Sequence, residues 1–129
     1  MEQLMADVTA QYIFDSAVTL MFGEEADKPD YTPFYINTLN RLLAENFDNN
    51  NALRLMAGKD ELTEIPMITD FNEVVDYEPR MTRQILIYGV AGYIYSDDDK
   101  GMGTEYKNKY EFERQRVLAS MYEDVTDVY

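Results

Sequence analysis

The stretch PRMTRQILIYGVAGYIY, residues 79–95, limits the possible folds more than any other part of the chain. A helix resuming at about Pro79 carries Met81, Ile85, Leu86, Val90, Ala91, Tyr93, Ile94 and Tyr95, which is apolar on more than one side. A helix at a surface shows one apolar stripe, whereas one that is apolar nearly all round has to be enclosed by others. This segment is therefore read as the central helix of a bundle. Gly89 and Gly92 lie within it, and each costs about 1 kcal/mol relative to Ala in a helix. A neighbour packed closely against them would offset that cost.

The rest of the chain supplies the neighbours. From Thr9, a plausible N-cap, Ile13, Phe14, Ala17, Val18, Leu20 and Met21 recur at helical spacing up to a stop at Gly23. Thr32-Pro33 sets a capping hydroxyl before a proline whose missing N–H is harmless at the first helical position. Tyr35, Ile36, Leu39, Leu42, Leu43 and Phe47 form the apolar face that follows. Asp48-Asn49-Asn50-Asn51 weakens this helix, because such side chains compete for backbone partners. Ala52, Leu53, Leu55 and Met56 continue it or make a separate turn closed by Gly58. Residues 59–78 have no helical period, and Ile65, Ile68 and Val75 around Pro66 suggest an irregular connection with a small β element. A last helix runs from about Thr104 to Tyr122 with Tyr106, Tyr110, Val117 and Met121 inward, and with Lys107, Glu111 and Arg114 among its outward charges. EDVTDVY then reads as a tail without helical logic. The expected fold is mainly α, a compact bundle of about four helices. Residues 1–120 form one helical domain, and 121–129 an extended acidic C-terminal tail.

The chain has 129 residues, 46% of them hydrophobic, which suits one domain with a real core. No run approaches the roughly 20 apolar residues of a membrane span, and MEQLMADVTA has no basic stretch ahead of an apolar one, so neither a membrane nor a secretory signal is expected. The formal net charge is -14, a surface that repels phosphate and argues against specific nucleic-acid binding. Cations gather late, at Arg80, Arg83, Lys100, Lys107, Lys109, Arg114 and Arg116, interspersed with acids, while the first 40 residues hold only Lys28. This pattern is a mixed, salt-bridged surface.

SDDDKGMG, residues 96–103, invites comparison with a calcium loop, which needs oxygen ligands at positions 1, 3 and 5, Gly at 6 and Glu at 12. Counting from Asp97 puts Gly101 at position 5 and Met102 at 6; counting from Ser96 puts Lys100 at 5 and Lys107 at 12. Both registers fail, so the segment reads as a turn permitted by its glycines, with carboxylates favouring the next helix N-terminus. No His and no Cys are present, which removes the usual general base, thiol nucleophiles and common zinc ligands. Paired acids such as Glu24-Glu25 sit in polar, exposed-looking sequence. No metal, no cofactor and no enzymatic activity are expected. Most of the 11 tyrosines lie on helical stripes; Tyr31, Tyr77 and Tyr129, at element ends, suit partner contacts better.

The stretches AQYIFDSAVTLMFGEE and YTPFYINTLNRLLAENFDNNNALR, with Leu39-Asn40-Arg41-Leu42-Leu43 as a core, resemble the opening of bacteriophage head–tail adaptor proteins, also called head-completion or connector proteins. ITDFNEVVDYEPRMTRQILIYGVAGYIYSDDD is similar to that family's second half, and EDVTDVY to tails of small prophage structural proteins. The resemblance implies a structural virion protein assembled in the host bacterial cytoplasm, without catalytic residues. It forms a ring, commonly of about twelve copies, on the portal protein, extends the DNA channel and meets tail or further connector proteins. By position, 79–95 and 104–122 would build the ring, and 121–129 would dock on the portal through Val125, Val128 and Tyr129. Because acidic copies repel one another, Arg80, Arg83, Arg114 and Arg116 would meet the acidic front of a neighbour. Two other classes fit the composition: an acidic DNA mimic or protein-binding regulator, and a small carboxylate-based enzyme.

Overall fold

The computed structural model describes residues 7–22, 32–95 and 100–127, with side chains up to Ser120 except at Phe22 and Tyr95. Among these residues the chain is helical, with α1 at Ala10–Phe22, α2 at Thr32–Glu45, α3 at Phe47–Met56, α4 at Leu86–Tyr95 and α5 at Lys100–Asp127. A single π-helical turn, Met81–Ile85, leads into α4. The bundle expected from sequence is present. As the apolar perimeter of 79–95 requires, α4 packs on α5, α1 and α2.

Its two glycines do what their cost demanded. A Cβ on Gly92 would lie 2.9 Å from the backbone nitrogen of Lys107, and one on Gly89 would lie 3.0 Å from both Leu42 Cδ1 and Tyr110 Cε1. The α4–α5 crossing is thus close because Gly92 carries no side chain. Ile13, Leu39, Leu43, Met81, Ile85, Leu86 and Val90 fill the centre at full burial. Phe14, Tyr35 and Phe71 form an aromatic cluster with centroids 4.7, 5.6 and 5.3 Å apart. Leu20, placed on the inner stripe by its spacing, is instead 39% exposed.

The start of α1 is capped as the sequence suggested and then further. The Tyr12 N–H donates to Thr9 Oγ1 at 3.2 Å. The Ala10 and Gln11 N–H groups, which no helical turn can satisfy, donate to the carbonyls of Glu73 and Phe71 at 2.9 and 2.8 Å. The small β element reduces to this seam. It is one antiparallel bridge between Thr9 and Val74, with the Val75 N–H donating to Val8, and no strand is present among the described residues.

Three boundaries differ from expectation. The second helix breaks at Asn46 rather than at the asparagine run, giving separate α2 and α3, and Asn49, Asn50 and Asn51 are buried inside α3. The last helix begins at Lys100, so Gly101 and Gly103 lie in its first turn rather than in a connecting turn. It also continues to Asp127 where an extended tail was expected. Once a helix exists, each added residue needs only one more bond, and no Gly or Pro follows Gly103 to stop it. At 28 residues it spans about 42 Å. Among the described residues no helix is long and apolar enough to cross a membrane.

Candidate interaction surface

The connection between α3 and the π-helical turn has no regular structure, so its backbone groups need partners from elsewhere. Asparagines provide them. Asn40 on α2 accepts the Ile68 N–H through Oδ1 at 2.7 Å and donates through Nδ2 to the Ile68 carbonyl at 2.9 Å. Asn51 on α3 does the same for Leu62, at 2.8 and 3.2 Å. Each side-chain amide thus serves both backbone groups of one residue, as a neighbouring strand would. Asn50 Oδ1 accepts the Glu78 N–H at 2.8 Å. The Glu78 carboxylate takes Lys59 at 3.0 Å and Arg54 at 3.8 Å, while Arg54 Nε donates to the Asp60 carbonyl. Gly58 starts the segment at φ +81, a left-handed turn that other residues reach only with strain.

The two double clamps hold Leu62 and Ile68, and between them the chain turns apolar side chains outward. Ile65 is 50% and Met67 74% exposed. Asp60, Glu61, Glu64 and Asp70 are exposed around them. A loop fixed this firmly loses little further conformational freedom on contact, which is what a docking element requires.

A second polar constellation lies where α2 meets α3. Fully buried Asn46 donates through Nδ2 to the Leu42 carbonyl at 2.9 Å and to the Tyr110 hydroxyl at 2.8 Å. Its Oδ1 accepts Arg114 Nε at 3.0 Å. The Tyr110 hydroxyl donates to Glu45 Oε1. Two further tyrosines are tied in the same manner, Tyr35 to the Ala10 carbonyl and Tyr77 to the Leu43 carbonyl, both at 2.6 Å. The shallow cleft beside the Asn46 cluster, lined by Thr38, Arg41, Leu42, Glu45 and Tyr93, has about 80 Å³, well below the roughly 300–1,000 Å³ of small-molecule sites.

Burial raises the ionisation range of Tyr35, Tyr77 and Tyr110 well above that of a free phenol; Asp15 adds to it at Tyr35, Asp48 at Tyr77 and the bond to Glu45 at Tyr110. The protonated form is the neutral one, so the folded state holds these protons more tightly than the unfolded chain does. The stability this confers is whole below pH of about 10, where the unfolded phenol titrates, and is lost as pH climbs past it. In an alkaline titration these three hydroxyls should ionise only together with loss of the helical circular-dichroism signal. Tyrosinate absorbance at 295 nm that reaches completion while the helix signal is intact would contradict this.

Of the residues singled out from sequence, Arg80 and Arg116 come together on Glu113, and the others lie apart. Arg80 reaches Glu113 at 3.8 Å with its side chain 31% exposed. Arg83 is exposed and lies 5.9 Å over the Tyr12 ring. Arg116 is 58% exposed, pairs with Glu113 at 3.4 Å and lies 5.9 Å from the Phe112 ring. Arg114, read as outward, turns in toward Asn46 and pairs with Glu111. Tyr77, read as a partner contact, is a core residue at 6% exposure: its ring has apolar neighbours and its hydroxyl a buried acceptor. Val125 falls within α5, its side chain outside the described set. Val128, Tyr129, Tyr31, Glu24, Glu25 and the acidic run 97–99 lie outside the described residues. Asn40, Asn46, Asn50 and Asn51 were missed. For Asn50 and Asn51 the available signal is their place in a run of three asparagines followed by Leu53 and Met56; Asn40 and Asn46 carry no comparable signal. Among the described residues no group of His, Cys, Asp and Glu is placed to hold a metal ion. No protein-family model, no curated protein and no solved structure matches this chain.

Proposed function

We propose that this chain is a structural assembly protein that works by binding other proteins, and that its assembly is the phage head–tail connector its sequence resembles. The observation that carries the reading is the clamped loop. Four hydrogen bonds from Asn40 and Asn51 fix Leu62 and Ile68, yet Ile65 and Met67 between them stay largely open to solvent. Apolar side chains held out on a rigid support favour contact over chemistry. The charge of -14 suits the inside of a channel, because DNA sliding past such a surface is not gripped through its phosphates.

The test is sedimentation velocity with the portal protein of the same genome, at low and at high salt. Under this reading the chain co-sediments with the portal, and the complex responds to salt. A chain that stays a monomer at every salt concentration with portal present would overturn the reading, and so would a gene neighbourhood without portal and capsid genes.

A further inference from the structure

We infer that copies of this chain bind one another through two different patches, the Ile65/Met67 loop of one seated against the Tyr88/Phe112 depression of the next. This deepens the assembly reading and rests on it, since it names the surfaces by which the subunit would join its sisters. The loop is apolar at its tip and wholly acidic around it. Asp60, Glu61, Glu64 and Asp70 are exposed, and no basic residue occurs between 60 and 70. The nearest cations in sequence, Arg54 and Lys59, are held by Glu78.

The depression does not share that acidic surplus. Tyr88, Asn108, Lys109, Phe112, Glu105 and Glu113 line it, and Phe112 is 62% exposed. The Lys109 ammonium lies 5.9 Å from the Tyr88 ring and 5.7 Å from the Tyr106 ring. Glu113 is engaged by Arg80 and Arg116. Lys109 is the one cation of the lining, against Glu105 and Glu113; with Arg80 and Arg116, which pair with Glu113 at its edge, the charges nearly cancel, in contrast to the loop's four exposed acids. An apolar tip ringed by acids can meet an apolar dish whose Lys109 is the cation nearest at hand and whose charges nearly cancel, whereas a second loop would set like charges opposite one another.

Each copy also carries -14 overall, so approach is opposed at long range. At about 0.01 M salt the screening length is near 30 Å and whole molecules repel; at about 0.15 M it is near 8 Å and the contacting patches dominate. Association should therefore strengthen between these two conditions, unlike a simple ion pair.

The chain contains no cysteine, which permits a clean proximity test on the full-length protein. Met67→Cys and Asn108→Cys variants, both at exposed positions, are mixed and mildly oxidised at up to about 1 mM protein. The mixed disulfide between the two variants should exceed either homodimer by about tenfold. Glu64→Lys added to the first variant should cut its yield by about tenfold, and Lys109→Glu added to the second should restore it. These side chains are solvent-facing, so the helical circular-dichroism signal should be unchanged and serves as the folding control. A statistical mixture of disulfides, or charge reversals without effect, would overturn the inference. The outcome is separable from the portal test: no portal binding leaves the mixed disulfide standing, and portal binding without it removes only the self-contact.

Discussion

Replacing Asn46 with Ala should cost about 3 kcal/mol, against about 1 kcal/mol for a typical substitution. Asn46 is at 0% exposure and uses three side-chain bonds, to the Leu42 carbonyl, the Tyr110 hydroxyl and Arg114 Nε. It also holds the break between α2 and α3. Its own N–H reaches the Leu42 carbonyl at 3.0 Å, and its carbonyl takes the Asn50 N–H at 2.8 Å, so backbone bonds bridge the break while the side chain ties it to α5. Alanine removes the tie and strands its partners. Arg114, with its side chain only 20% exposed, loses its inner acceptor, and Tyr110 is left with Glu45 alone. Leaving a partly buried cation short of an acceptor is the larger part of the loss. For a domain of this size about 3 kcal/mol lowers the melting temperature by roughly 10 °C. Removing both partners is kinder than removing one, so Asn46→Leu combined with Arg114→Met should be less destabilised than the two single losses added together. Urea denaturation of the wild type, the two single variants, their combination and Asn46→Ala measures this, and a cost below about 1 kcal/mol for Asn46→Ala would show that the cluster is incidental.

The asparagines also show where sequence reading stops. That residues 59–78 lack regular structure was legible, because no period runs through them. What fixes them was not, because the Asn40–Ile68 pair joins residues 28 apart and an Asn looks the same whether it clamps a loop or breaks a helix. The run 49–51 has an intrinsic dislike of helices, which tertiary partners override at Asn50 and Asn51. Tyr77 was misjudged for the same reason: its place at an element boundary was visible, and the Leu43 carbonyl waiting for its hydroxyl was not. Where the signal is local, the reading survived. Thr9 caps α1, and 79–95 is central because it is apolar on more than one side. The docking loop was half legible. Ile65 reads from sequence as an extended-strand residue, yet it is held out between clamps at Leu62 and Ile68, which only the folded chain brings together.

Gly92→Leu should be strongly damaging, at about 3 kcal/mol or more, for a reason opposite to that at Asn46. There, removal leaves groups unmet; here, addition forces apart a contact that has no slack. A Cβ at this position meets Lys107 Cγ at 2.8 Å, its backbone nitrogen at 2.9 Å and its Cα at 3.2 Å. Side-chain carbons can swing away, but a backbone nitrogen moves only if α5 moves, and α5 is packed along α4. Even Gly92→Ala should lose stability, since overpacking of about 1–3 kcal/mol exceeds the roughly 1 kcal/mol that Ala gains in helix propensity. Gly89→Ala is the internal control. Its Cβ would meet Leu42 Cδ1 at 3.0 Å, Cδ2 at 3.1 Å and Tyr110 Cε1 at 3.0 Å, all side-chain atoms. Leu42 can yield by rotation, so propensity and crowding nearly cancel and the net change should stay within about 1 kcal/mol. The ordering is the claim. Thermal melts in which Gly92→Ala is as stable as Gly89→Ala would mean that the close approach of α4 to α5 does not hold the bundle together. The enclosed helix would then owe its place to its apolar perimeter alone.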